Sequence, residues 1–408
     1  VRGLKLLLAA GLVLVAVSCG TEDAKPAAST DPTPQVDPGN RVPTKGPVPL
    51  GPGVDAPTKP LDTVQGLLLT APIYNGDFAD PFSLRGPDAN YAYATNTDEA
   101  NVPVLRSVDG LSAEYLGDVL PTLPAWTATG LVWAPSVLAL SDTSYVLYYT
   151  TRDTASGRQC ISRATSSSPA GPFVDTSASA FICQLDLGGS IDASPFEAAG
   201  GSAHLVWKND GNCCDQTTTI WSAPLAADGL SLAGGPVALF SADQPWEGGL
   251  VEGPSMVESG GKFYVFYSAN AWNTADYAVG YAVCDTVQGP CTKPEQEPWL
   301  SSTGRVRGPG GEEFFTGEST GTSSVWMVYH GWLPGQVGEP SGQRRLYLDE
   351  VRIVDGRPVR VGKEEIERDL VRAAVPYLVG LIVVAGGVVI LVVRRRRRRK
   401  VATTAEVS

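Results

Sequence analysis

The sequence predicts an all-β protein, a five-bladed β-propeller set between an N-terminal disordered linker and one C-terminal transmembrane helix. Three observations lead there. An aromatic strand signature recurs five times, no useful stretch of the body keeps a 3.6-residue apolar period, and both ends differ in composition from the middle. The 408 residues include 45 Gly and 32 Pro, so any core must be interrupted by many turns. Lys and Arg number 31 against 43 Asp and Glu, and six Arg with one Lys are gathered in 394–400. The remainder is therefore more acidic than the net charge of −12 suggests, which argues against nucleic acid as the main partner.

Residues 1–19 read as a signal peptide: Arg2 and Lys5, an apolar run from Leu6 to Val17, then small residues. Ala16-Val17-Ser18-Cys19-Gly20 has the form of a bacterial lipoprotein cleavage box, with Cys19 as the lipidated residue. Removing Cys19 from the seven cysteines leaves an even set, as an oxidising compartment favours. Residues 20–64 are rich in Pro and poor in large apolar side chains, which predicts an extended, disordered linker.

Residues 65–370 form the expected propeller. The signatures are Tyr91–Thr95, Tyr145–Tyr149, His204–Lys208, Tyr264–Ser268 and Trp326–His330. Aligned on Tyr93, Tyr148, Trp207, Tyr267 and Tyr329, they are spaced by 55, 59, 60 and 62 residues. Each unit has room for four short strands, and these segments are aromatic and β-branched between turn-forming clusters. A β-sandwich would not usually repeat at this period.

Ala373 to Val393 is 21 residues without a charge, enough to cross a hydrocarbon core of ~30 Å as a helix. The basic cluster follows at once and marks 394–408 as a cytoplasmic tail. The expected location is a bacterial cell membrane, with the body outside and membrane contact through the helix and a lipid on Cys19.

A turn precedes each signature: Ala79-Asp80-Pro81-Phe82, Trp133-Ala134-Pro135, Ile191-Asp192…Phe196, Val251-Glu252-Gly253-Pro254 and Gly308-Pro309-Gly310. Asp80, Asp192 and Glu252 lie 13, 15 and 15 residues before their aromatic landmarks. Matched positions on the innermost strands of a propeller face one central channel, so three carboxylates should converge there. Three acids at matched positions point to catalysis and not to turn caps.

These motifs in this order, with Tyr329-His330-Gly331-Trp332 and the closing Arg345–Leu348…Asp355–Pro358, resemble glycoside hydrolase family 43 over about 300 residues. The resemblance implies inverting hydrolysis of arabinose- or xylose-containing polysaccharide such as arabinan or arabinoxylan. By motif, Asp80 would be the general base, Glu252 the general acid, and Asp192 the residue that tunes and orients the acid. Phe82, Trp133, Trp246, Trp272 and His330 are the candidate substrate-binding side chains, the aromatics as flat walls for sugar C–H faces. Many relatives carry a His after Gly-Pro-Gly that belongs to a central metal and water cluster. Here Gly311 takes that place, followed by Glu312 and Glu313. No metal ligand is therefore assigned, and a Ca²⁺ ion on the axis, held by acid oxygens, stays an open expectation.

Six body cysteines remain. Proximity pairs Cys160 with Cys183 and Cys284 with Cys291, leaving Cys213 and Cys214 as a vicinal disulfide or reduced. The protein is expected to act as a monomer. A retaining β-fructosidase-like propeller is the alternative within hydrolases, and a non-catalytic carbohydrate-binding surface propeller the alternative outside them.

Overall fold

The computed structural model describes residues 72–108, 112–319, 322–340 and 342–360. The expected signal peptide with Cys19, the linker, the 373–393 helix and the basic tail lie outside the described residues.

Five antiparallel sheets follow one another along the chain. The first comprises β1 (Phe82–Arg85), β2 (Asn90–Tyr93), β3 (Pro103–Ser107) and β4 (Glu114–Asp118). The second has β5 (Trp133–Ser141), β6 (Ser144–Arg152) and β7 (Gln159–Ser166), and the third β8 (Ser190–Glu197), β9 (Ala203–Asn209), β10 (Thr219–Pro224) and β11 (Val237–Ser241). The fourth has β12 (Val251–Ser259), β13 (Lys262–Ala269), β14 (Ala278–Cys284) and β15 (Cys291–Thr292). The fifth has β16 (Arg307–Ser319), β17 (Thr322–Trp332), β18 (Arg345–Val354) and β19 (Arg357–Arg360). The second sheet departs from the expected four strands. Its outer position holds no fourth strand, and isolated bridges join β7 to the following segment at Thr165–Val174 and Ile161–Ile182.

The first strands form a closed ring, with β1 against β5, β5 against β8, β8 against β12, β12 against β16, and β16 back against β1. Five apolar clusters fill the gaps between neighbouring sheets. Strand alternation explains how one strand serves two of them. On β13, Tyr264 and Phe266 face the fifth sheet, whereas Val265, Tyr267 and Ala269 face the third. Each such aromatic contributes ~1.5–3 kcal/mol by leaving water. That two-sided burial is why the signatures read as near-continuous apolar runs.

The segment before β1 completes the ring. Tyr74 bridges Leu346, and the Phe78 amide donates to the Arg344 carbonyl at 2.7 Å. The Arg344 amide in turn donates to Asp77 Oδ1 at 2.5 Å. All three disulfides form: Cys160–Cys183, Cys284–Cys291 across β14 and β15, and the vicinal pair Cys213–Cys214.

The observed register corrects the alignment of the repeats. Phe82, Ser136, Ser194, Ser255 and Glu313 pair with Tyr93, Tyr148, Val206, Phe266 and Val328. The true equivalents in the last three sheets thus lie one residue before the aromatic landmarks. Two residues before each of these first-strand positions stands a residue with left-handed backbone: Asp80, Ala134, Asp192, Gly253 and Gly311, with φ between 41° and 58°. Asp80 and Asp192 are therefore equivalent, but Glu252 is displaced by one and corresponds to Trp133 and Ile191. In β5, β8, β12 and β16 a bulge breaks strand pairing at the left-handed residue. Placing a non-glycine residue there costs ~1–3 kcal/mol, a strain typical of functional sites.

Candidate active site

The left-handed residues turn the chain at five matched positions, and the second strand of each sheet supplies what lies behind them. Thr95, Thr150, Lys208, Ser268 and His330 occupy the equivalent second-strand position, two residues beyond the paired residues named above. Four of these five side chains hydrogen-bond a residue of the first-strand acid motifs, and the fifth, Ser268, accepts from the Gly311 amide at 2.8 Å.

Asp80 is held by three groups. Thr95 Oγ1 donates to Oδ2 at 2.6 Å, Arg344 Nη1 lies 3.6 Å from Oδ2, and His330 Nδ1 lies 3.5 Å from Oδ1. The Asp80 amide also donates to His330 Nδ1 at 3.0 Å. Burial alone would push this carboxyl up, but the Arg344 guanidinium and the Thr95 hydroxyl outweigh it and hold Asp80 below the usual carboxylate range. Burial lowers His330 to about 3, so the ring is neutral, with Nδ1 as acceptor and the proton on Nε2.

Asp192 and Glu252 have a different environment. Lys208 Nζ donates to Glu252 Oε2 at 3.0 Å, and Tyr277 Oη donates to Oε1 at 2.9 Å. Asp192 Oδ2 accepts the amide of Gly253, next to Glu252, at 2.9 Å, and the Asp192 amide donates to Thr150 Oγ1. Burial first, and the Glu252 and Asp80 carboxylates second, raise Asp192 to about 7 against the opposing pull of Lys208. Asp210 is also raised, to about 6, by burial and Glu252 despite Lys208. The side chains of Asp80 and Glu252 are 26% and 12% exposed, whereas His330 and Lys208 are fully covered. The acids reach the cavity and their partners stand behind them.

The Asp80 side and the Glu252 side are joined. The Tyr277 and His330 rings stack at 5.8 Å and 9°, so one contacts Glu252 while the other contacts Asp80. Two further carboxyls lie beneath. Glu312 and Glu313 are buried, Glu312 raised well above its ordinary value and Glu313 raised to about 7, both through burial.

The expected walls divide into two groups. Phe82 is buried at 8% exposure and packs in the first core cluster near Tyr93, which corrects its assignment to substrate. His330 is likewise out of substrate's reach; it positions Asp80 instead. Trp246 stacks on Tyr267 at 6.0 Å and donates to Gln244, so it is sheet packing. Trp133 remains half-buried at the bulge of β5, and Trp272 half-buried beneath the Arg344 guanidinium at 4.6 Å. Sequence reasoning missed Lys208, Tyr277, Thr95 and Arg344 as site residues.

Among the described residues no three His, Cys, Asp or Glu side chains gather closely enough to hold a metal ion. The proton on His330 Nε2 also removes that lone pair from coordination.

The pattern of glycosyl hydrolases family 43 matches residues 69–358, most of the chain. The chain belongs to that family. It is 28% identical over 276 residues to an extracellular exo-α-(1→5)-L-arabinofuranosidase of Streptomyces avermitilis, a match covering 62% of this chain and 54% of that protein. It is 27% identical over 227 residues to the β-D-galactofuranosidase xynD of Aspergillus niger, covering 50% and 58%. The chain thus spans little more than half the length of these curated relatives. The solved structure of a thermostable family-43 glycoside hydrolase superimposes with a TM-score of 0.62 at 27% identity, covering 70% of this chain and 92% of that one.

Proposed function

We propose that the protein is an inverting glycosidase acting on arabinose- or xylose-containing polysaccharide, with Asp80 as general base, Glu252 as general acid and Asp192 tuning the acid. The observation that carries this reading is the split between carboxyls in one cavity. Asp80 is held ionised by Arg344 and Thr95, while Asp192 is raised to about 7 beside Glu252. Pairs of acids driven apart in this way divide the roles of base and acid. An ionised Asp80 can take a proton from an attacking water. A protonated Asp192 next to Gly253 spares Glu252 a second negative neighbour and fixes its backbone. Arabinofuranosides rank ahead of xylosides because both curated relatives named above are called furanosidases.

The reading extends to location. The apolar 373–393 segment, the basic run after it and Cys19 support a propeller tethered on the outer face of a bacterial membrane, facing polymer in the surroundings.

The test is turnover of arabinan and arabinoxylan by wild type, Asp80→Asn and Glu252→Gln, with the anomer of the product followed by NMR. Both variants should lose at least ~10²-fold in kcat while remaining folded. Wild-type activity in either variant removes its residue from the mechanism, and the retained anomer in the product removes inversion.

A further inference from the structure

The disulfides differ in what they can do for the fold. Cys160–Cys183 spans a separation of 23 residues, whereas Cys213 and Cys214 are neighbours in the chain. A disulfide stabilises mainly by closing a loop in the unfolded chain, and a pair of neighbours closes no loop. The effect of Cys213–Cys214 is local: it fixes the shape of the surface on which it stands.

That surface adjoins the candidate active site. Cys213 and Cys214 end a one-turn helix, Gly211–Cys214, that follows β9. Ser190 pairs with Asn209 and Ile191 with Lys208, so the turn leaves β9 at the end where Asp192 and Lys208 stand. Cys213 is exposed there and Cys214 half-buried. Neighbouring segments hold the pair in place. Cys213 Sγ lies 3.5 Å from the carbonyl oxygen of Gly188, four residues before Asp192. Arg158, from the turn between β6 and β7, donates through Nη1 to Cys214 Sγ at 2.6 Å and lies 3.4 Å from Cys213 Sγ. Asn209 Nδ2 donates to the carbonyls of Leu187 and Thr217, which ties the segment before β8 to the disulfide turn. The approach requires glycine at 188. Its φ is +92°, and a Cβ there would run into the Asp210 carbonyl and meet Cys213 Sγ at 3.3 Å.

Beside the sulfurs stands a second one-turn helix, Leu185–Leu187, of which no residue is buried. Leu185 and Leu187 are 51% and 36% exposed. Two leucines and two polarizable sulfurs thus make an apolar rim at the acid corner of the cavity. Asn212, Asp215 and Gln216 are exposed around it, and the Arg158 guanidinium brings five N–H donors, more than two sulfurs can use. Apolar surface for C–H faces, bordered by polar groups for hydroxyls, is the chemistry that receives a sugar. Four side chains fall far short of the ~800 Å² per partner of a standard protein interface, but they suffice for a sugar unit.

We propose that the Cys213–Cys214 disulfide, with Leu185 and Leu187, is a subsite on the rim of the cavity that seats a sugar unit of the polysaccharide remote from the bond cleaved. The disulfide keeps its turn rigid, so the polymer meets a preformed surface and little ordering is lost on binding. The proposal rests on reading the protein as a polysaccharide hydrolase.

The test compares wild type, Cys213→Ser with Cys214→Ser, and Leu185→Asn. Substrates are the polymer that wild type cleaves, arabinan or arabinoxylan, and the matching nitrophenyl glycoside, which is too short to reach the rim. Both variants should raise KM for the polymer at least fivefold with kcat within twofold of wild type. The loss in kcat/KM should be at least five times smaller on the nitrophenyl glycoside. Leu185→Asn keeps the disulfide, so it reads the surface even where the cysteine variant fails to fold. Unchanged KM for the polymer in either folded variant, or equal losses on both substrates in Leu185→Asn, overturns the subsite. A wild type that cleaves the nitrophenyl glycoside but neither polymer overturns it as well. A wild type that cleaves none of the three overturns the proposed function itself, and the subsite with it.

Discussion

Replacing Asp192 by Asn should make the protein more stable while making it inactive, and the gain should depend on pH in a defined direction. In the fold this carboxyl is raised from 3.8 to about 7, chiefly by burial and then by Glu252 and Asp80. At ~1.4 kcal/mol per pH unit, that difference amounts to ~4 kcal/mol between protonation states, an upper figure because local relaxation and water entry reduce it. The group is raised, so the native state binds the proton more tightly than the unfolded chain does. Its favourable contribution is complete below about pH 3.8 and is lost as pH rises through about 7. Asn keeps an oxygen for the Gly253 amide and leaves the Lys208–Glu252 pair intact. Thermal unfolding of both proteins at pH 4 and pH 8 is the assay. At roughly 2–4 °C per kcal/mol for a domain of this order of size, the variant should melt several degrees higher at pH 8 and near wild type at pH 4. A variant that melts lower at pH 8, or a difference that does not change with pH, would refute the electrostatic account of Asp192.

Other perturbations follow from the same geometry. Lys208→Met removes the cation that opposes protonation of Asp192, so the alkaline limb of the rate profile should move to higher pH. It should also destabilise the fold by ~3–5 kcal/mol in denaturant titration, since Glu252 is left without its counter-charge. Gly310→Ala should force Tyr277 off Glu252 and lower kcat on arabinan at least tenfold with the secondary structure preserved by circular dichroism. Cys160→Ser with Cys183→Ser opens a clip across a sequence separation of 23 and should cost ~3 kcal/mol, read as a fall in Tm. Dialysis against EDTA should leave activity unchanged, since among the described residues no three His, Cys, Asp or Glu side chains gather to hold a metal ion.

Much of this was legible in the chain, for physical reasons that also explain the rest. The five aromatic runs are visible because each signature strand is buried on both faces, as β13 shows with Tyr264 and Phe266 on one side and Val265 and Tyr267 on the other. The acids are visible because carboxylates stand out beside Pro in short turns. What alignment on aromatics hid is the one-residue difference between sheets: Tyr93 and Tyr148 match Val206, Phe266 and Val328 rather than Trp207, Tyr267 and Tyr329. Corrected for that slip, Thr95, Thr150, Lys208, Ser268 and His330 fall in one column, polar throughout within otherwise apolar strands. The column carried the missing signal for Lys208 and Thr95. Phe82 misled for a related reason. Its equivalents Ser136, Ser194, Ser255 and Glu313 are all buried, so the position points into packing even though it adjoins an acid. Tyr277 and Arg344 lie outside the repeated strands, and no periodicity marks them.

The closure of the ring has a consequence for when the protein becomes competent during its synthesis. Asp80 stands on the earliest sheet, yet its amide is held by His330, 250 residues later, and its carboxylate by Arg344 beyond that. A nascent chain that has passed Glu252 already owns all three carboxylates but, of the clamp on Asp80, only Thr95. Only the arrival of β17 and the turn into β18 draws the first segment back against the last. The surroundings of Asp80 are thus completed by the final act of folding, and an incomplete or nicked chain carries the acids without His330 and Arg344 to hold the first of them.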